Sequence, residues 1–400
     1  MLALVLVAAC REPAERPAAP PAPPSLLERA DRGLAAAGTF LISQQGPDGA
    51  LRSKTYAAFR DGYSLTPLAL AALRFVPASS SQSAAYRKGV DFLLTMVDER
   101  GALRAPPNGP RYPLYSIALS VLVLNVPENA AHSATRDALV TLLRARQLTP
   151  AHGFAPDDPS HGGWGYDLAL DTPSLVAGPR PTANLSATIF VLGALTLAGV
   201  PASDPALLHA RAFVERCQRI PGDAGGPPDG GFFFSPAEHD GNKAGPVELA
   251  APAGPFRSYG SATADGVRAL LRLGLPPEHP RVVAAAAWLE RNFSAARNPG
   301  DFVEGSEVRR ASSYYYWVWS AAHALRAIGR RTLVTAAGEV RWAEALAAAL
   351  LERQRADGSF VNSSTELRED DPVVATSFAV AALAICRSVL AGSYATHRAP

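Results

Sequence analysis

The sequence predicts an all-α protein, an (α/α)6 toroid in which twelve helices form two concentric rings. Two observations carry this. Six helix-like segments each run into a short Gly-rich turn closed by a bulky apolar residue: Leu51, Leu103, Trp164, Phe232, Phe302 and Phe360, spaced 52, 61, 68, 70 and 58 residues apart, a period that marks a repeat architecture. The segments before the turns are amphipathic and those after them nearly all apolar, and a helix apolar all round belongs inside.

In chain order the outer, amphipathic segments are Ser25 to Gln45, Ala84 to Val97, Ser133 to Gln147, Asp204 to Gln218, Pro280 to Phe293 and Gly338 to Gln354. The inner segments are Ser64 to Phe75, Tyr112 to Leu124, Thr182 to Ala198, Ser261 to Leu273, Ser313 to Ile328 and Asp371 to Cys386. Apolar residues recur at helical spacing throughout, and no strand-hairpin pattern stands out. Asp371-Pro372 reads as an N-cap before a first-turn proline, with Ser64, Thr182, Ser261 and Ser313 as equivalent caps. The turns and the inner-helix N-termini then share one end of the ring. The clearest turns, Gln45 to Leu51 and Gln354 to Phe360, read Q-x-x-D-G-x-Φ, their Gln and Asp tying helix ends to the turn.

Hydrophobic residues make up 48% of the 400 and charged residues 18%, enough apolar material for one large core over residues 25–391, followed by a short tail at 392–400. A net charge of +2 without a Lys/Arg run argues against a nucleic-acid partner. Cys217 and Cys386 lie in apolar helical stretches and read as buried free thiols. Residues 1–10 end in Val7-Ala8-Ala9-Cys10, like the signal of a bacterial lipoprotein in which Cys10 carries the lipid. Residues 11–24 form a Pro/Ala-rich tether. The expectation is a protein lipid-anchored in the cell envelope, or secreted; Cys10→Ser should release it from the membrane fraction.

Gly162-Gly163-Trp164-Gly165-Tyr166, Tyr259-Gly260-Ser261-Ala262-Thr263, Tyr314-Tyr315-Tyr316-Trp317 and Asp370-Asp371-Pro372-Val373-Val374-Ala375-Thr376 join the turn motifs in a wider likeness. Together they resemble the squalene cyclase and protein prenyltransferase superfamily, and within it the bacterial prenyltransferase/squalene oxidase repeat proteins. The resemblance implies an α/α toroid around an apolar cavity. It does not extend to the chemistry. Where the cyclases carry D-x-D-D, this chain reads Arg180-Pro181-Thr182-Ala183-Asn184-Leu185-Ser186, and the late inner helices lack the Cys and His that hold zinc in the prenyltransferases. The C-G-E-Q segment of toroid thioester domains is also absent.

Candidate catalytic residues are therefore Asp265, Asp370 and Asp371. Asp370 and Asp371 read either as a carboxyl pair sharing a proton or as a helix cap with an added charge. Asp265, one turn into an inner helix, is either functional or paired with Arg268 or Arg257. Tyr259, Tyr315, Tyr316, Trp319, His323 and Trp164 are the candidate cavity wall, whose π faces would stabilise a cation; the same aromatics could be ordinary core. The loop from His152 to His161 matches no strong ligand spacing, so neither metal nor cofactor is expected. The partner is an apolar small molecule, an isoprenoid or lipid. The chain reads as an isoprenoid-modifying enzyme, as an anchored non-catalytic protein binding a lipid or protein in the same cavity, or as a polysaccharide lyase or glycosidase on the same toroid.

Overall fold

A computed structural model describes residues 24–105, 109–166, 180–221, 228–237, 240–248, 255–364 and 366–392; Cys10 and the tether lie outside these. The outer helices are α1 (Leu26–Ser43), α3 (Ser80–Leu94), α5 (Ser133–Ala145), α7 (Pro205–Arg216), α9 (Pro280–Asn292) and α12 (Trp342–Arg353). The inner helices are α2 (Leu65–Leu73), α4 (Pro113–Leu124), α6 (Leu185–Leu197), α8 (Gly260–Arg272), α11 (Tyr314–Ala327) and α13 (Pro372–Leu390), with a five-residue α10 (Glu307–Ala311) between α9 and α11. The inner helices pack in sequence, α2 on α4, α6, α8, α11 and α13, and α13 returns to α2, so the ring is closed. In the outer ring α1 packs on both α12 and α13, joining the two ends of the described chain. The double ring of twelve helices is thus the observed fold.

The repeated turns close the ring with a device that recurs in four of the six repeats. Gln45 donates through Nε2 to the carbonyls of Gly49, in its own turn, and Ala85, at the start of the next outer helix. Gln147 does the same to Gly162 and Ala206, Gln218 to Gly230 and Arg281, and Gln354 to Gly358 and Gly33. The turn glycine has positive φ in each, and a Cβ there would lie 2.1–2.6 Å from a carbonyl oxygen three residues further along that neighbouring helix, at Lys88, His209, Ala284 or Ala36. Glycine is required by conformation and by contact together. The apolar residue then anchors inward: the N–H groups of Leu51, Trp164, Phe232 and Phe360 donate to Thr66, Thr188, Thr263 and Thr376, all in the first turns of inner helices. The turns and inner-helix N-termini therefore meet at one end.

Two expectations are corrected. Residues Leu333–Thr335 and Gly338–Val340 form a small antiparallel hairpin, β1 and β2, which is short and mostly exposed and so carries little hydrophobic alternation. The inner-helix caps also differ. Asp371 does cap α13, accepting from Val373 and Val374. Asn184 caps α6, however, and the N-termini of α8 and α11 are satisfied by Asn298 and Glu369 from neighbouring loops. These N–H groups are buried in the ring, where donors need partners but water is scarce, and the side chains that reach them are distant in sequence.

Candidate functional site

A cavity of about 290 Å3 opens at the turn end of the ring axis, at the small end of the range for ligand sites, about 300–1,000 Å3. Every inner helix reaches it. Its wall is mainly aromatic and aliphatic, including Phe59, Tyr115, Tyr166, Phe190, Phe234, Tyr259, Tyr316 and Phe378, and its ionisable lining groups are Asp265, Glu369, Lys243, Glu366 and Arg368 near the tyrosines. Trp319 packs beneath it on the lining residues Phe190 and Phe378, with ring centroids 5.4 and 5.2 Å apart.

Asp265 anchors a buried polar chain. Its Oδ2 accepts from the Tyr316 hydroxyl at 2.7 Å, and its Oδ1 from Ser320 at 2.6 Å and Arg268 Nη1 at 3.2 Å. The Tyr316 hydroxyl also meets Ser186 at 3.1 Å, and Ser186 meets Tyr115 at 2.9 Å. This links α4, α6, α8 and α11. Burial holds the Asp265 carboxyl above its ordinary proton affinity, while Arg268 and the two hydroxyls pull it down. Burial also drives the Tyr316 phenol well up, with the nearby Asp265 charge adding to it. His323, one turn beyond Trp319, is held neutral by burial and by Arg268, Arg272 and Arg326.

The Glu369-Asp370-Asp371 run distributes its three acids differently from the expected pair. Asp371 is buried as the α13 cap and also accepts from Ser53. Asp370 takes the Tyr56 hydroxyl on both oxygens, at 2.6 and 2.7 Å. Neither lines the cavity, and they bond to different partners rather than to each other. Glu369, which sequence reasoning passed over, does line it. Its carboxylate receives the Tyr315 and Tyr316 N–H groups and Asn362 Nδ2, yet burial pushes its pKa up to about 7. A group with folded pKa near 7 and unfolded pKa near 4.5 binds more protons when folded, so its contribution is full below about 4.5 and is lost as pH rises through 7. Urea denaturation should show stability falling across that window, by up to about 3 kcal/mol from this group, and Glu369→Gln should flatten the decline. An unchanged slope would remove Glu369 as its source.

Of the aromatic candidates, Tyr259 and Tyr316 line the cavity, and Trp319 and His323 lie below its floor. Tyr315 and Trp164 are corrected to core. Tyr315 packs edge-on against Phe360, its hydroxyl on the Val361 carbonyl. Trp164 is fully buried with Nε1 on the Leu143 carbonyl. Tyr315 follows one residue before Tyr316, which turns it about 100° away on a helix, and Trp164 is the apolar residue of its turn. Arg257 pairs with Asp301 rather than Asp265. In the 152–161 loop, His152 and His161 each bond a backbone carbonyl through Nδ1.

No family model matches the chain, and no curated protein matches it in sequence. Solved structures do match in fold. The type II terpene cyclase MstE from Scytonema aligns with TM-score 0.55 at 13% identity, over 91% of this chain and 99% of the cyclase. That cyclase has been solved with geranylgeranyl dihydroxybenzoate as substrate and merosterolic acid A as product. A protein from Actinoplanes aligns with TM-score 0.54 at 16% identity, over 90% of this chain and 99% of that one. Cellobiose 2-epimerase from Spirochaeta thermophila aligns with TM-score 0.52 at 12% identity, over 89% and 97% of the two chains. Identities this low establish the fold alone: the chain is an α/α toroid of the kind that carries both terpene and sugar chemistry.

Proposed function

We propose that the chain binds an apolar, isoprenoid-type molecule in the axial cavity and that Asp265 is the proton donor to it. The observation that carries this reading is the buried Asp265–Tyr316–Ser186–Tyr115 chain set in an aromatic wall. Proton delivery to an alkene needs a carboxyl that takes up a proton more readily than an exposed acid does and whose anion is stabilised once the proton leaves. Burial supplies the first condition and Arg268, with Ser320, the second. With the proton on Asp265 Oδ2, the hydroxyl chain needs only to reverse its O–H directions, Asp265 donating to Tyr316 and Tyr316 to Ser186. The carbon cation formed would lie among the π faces of Tyr115, Phe190, Phe234 and Tyr259. Cys10, if lipidated as its flanking residues suggest, would hold the ring at a membrane surface where such ligands partition.

The cyclase neighbour, with its geranylgeranyl substrate, supports this class of ligand. A sugar-acting reading has less support, because the wall between the carboxylates is apolar. Since the D-x-D-D and zinc-ligand positions are unlike those of the superfamily, neither squalene cyclisation nor peptide prenylation is expected. Mass spectrometry of lipids co-purified with the full chain should find an isoprenoid. Incubation of that compound with the protein should give a rearranged product of unchanged mass, the proton gained from Asp265 being balanced by one that the cation loses to a lining carboxylate, Asp265 or Glu369. Asp265→Asn and Tyr316→Phe should keep binding and cut turnover by about 100-fold or more. Binding without turnover in the wild type would leave an anchored lipid-binding protein, and no apolar ligand at all would sink both readings.

A further inference from the structure

A second, smaller cavity of about 80 Å3 lies on the ring axis on the far side of Leu68, Leu119, Phe190 and Phe378, which line both spaces. That volume is what two or three waters occupy in the liquid, at about 30 Å3 each. Its chemistry is opposite to that of the upper cavity. Arg74, Arg268 and Arg272 line it together with neutral His323, and no carboxylate is among its lining residues. Arg268 is buried, stands 4.1 Å over the Trp319 ring and pairs upward with Asp265. Arg272 donates to the Ile189 carbonyl at 3.1 Å; burial first and then Arg268 pull it down to about 9. Arg74 is exposed at the rim.

The sequence keeps room for this arrangement. Helix α6 is apolar along its length except for small polar residues, yet it carries Gly193 in its interior, where glycine weakens a helix. A Cβ there would lie 2.1 Å from Arg272 Nη1. Three guanidinium groups around so small a space repel one another, and Asp265 pairs with Arg268 from above.

We propose that this lower cavity binds a small oxyanion of the phosphate or sulfate class, either free or as the head group of a larger molecule. Guanidinium forks match such oxygens bidentately, and a neutral His323 can add an N–H. The competing account is that the arginines only answer the partial negative charges at inner-helix C-termini, which fall off within a turn.

Titrating the full-length protein with inorganic phosphate at constant ionic strength and pH 7, followed by calorimetry, separates the two. n-Octyl phosphate forms the second arm. The expected result is saturable one-site binding that weakens about 10- to 100-fold in Arg272→Gln and in Arg74→Gln, the loss of one charge-assisted contact. Binding of inorganic phosphate identifies a free anion; binding of octyl phosphate alone identifies a head group. If Arg272→Gln does not fold, Arg74→Gln decides, since its side chain is at the surface. Absence of saturable binding in both arms, or equal affinity in the wild type and both variants, overturns the proposal. Neither outcome depends on turnover in the upper cavity.

Discussion

Alanine at Gly162 is expected to cost the protein about 3–5 kcal/mol, whereas alanine at Gly153 should cost about 1 kcal/mol. Both glycines have positive φ, 86° and 78°, so both substitutions strain the backbone alike. They differ in surroundings. A Cβ at Gly162 would lie 2.1 Å from the His209 carbonyl oxygen of α7, whereas at Gly153 nothing lies within 4 Å. The obstacle is helix backbone, which cannot swing aside as a side chain can. Relief requires the turn to lift from α7, breaking the Gln147 bonds to Gly162 and Ala206. Chemical denaturation of the two variants measures the difference directly. Equal losses would mean that the turns merely visit the next helix and do not hold it.

Arg268→Met is expected to be the most damaging single change inside the ring, at about 3–5 kcal/mol, because it leaves Asp265 buried without its cation. The double variant Asp265→Leu, Arg268→Met should recover much of that loss, since both charges leave together and apolar side chains of similar size remain. The two residues touch, so their effects should be strongly non-additive. Urea unfolding of both single variants and the double variant gives the coupling. Additive losses would show that the pair is not energetically joined and would weaken the role assigned to Arg268 in stabilising the Asp265 anion.

The ring was legible in the sequence because its signal is written six times: one ambiguous Gly-rich turn says little, but six in register with alternating helix character say the fold. The features that the sequence hides depend on the ring being closed. Thr66, Thr188, Thr263 and Thr376 catch the turn residues after 15, 24, 31 and 16 residues, so intervening loops of unequal length hide their equivalence. Asn298 and Glu369 cap helices from 37 and 54 residues away, and no local rule reaches that far. The adjacent Asp370-Asp371 pair reads in sequence as an acid site, while the acid of that run that lines the cavity is its neighbour Glu369. Asp265 could be named from its place in the first turns of α8, but its choice of Arg268 over Arg257 depended on which helix face turned inward.

The Gln–Gly fastening joins repeat one to two, three to four, four to five and six back to one. It is missing between two and three and between five and six, where the turns at Gly101 and Gly300 lack the glutamine. Those two places face each other across a six-membered circle. The fastenings therefore fall into two groups of three repeats, three to five and six to two, separated by two unfastened joints. Each joint is spanned on the cavity side by polar contacts instead: Tyr115 to Ser186 across one, and Glu369 to the start of α11 across the other. Tyr115, Ser186, Tyr316 and Glu369 also line the axial chamber, so a guest there would touch groups from both halves of the ring at each joint.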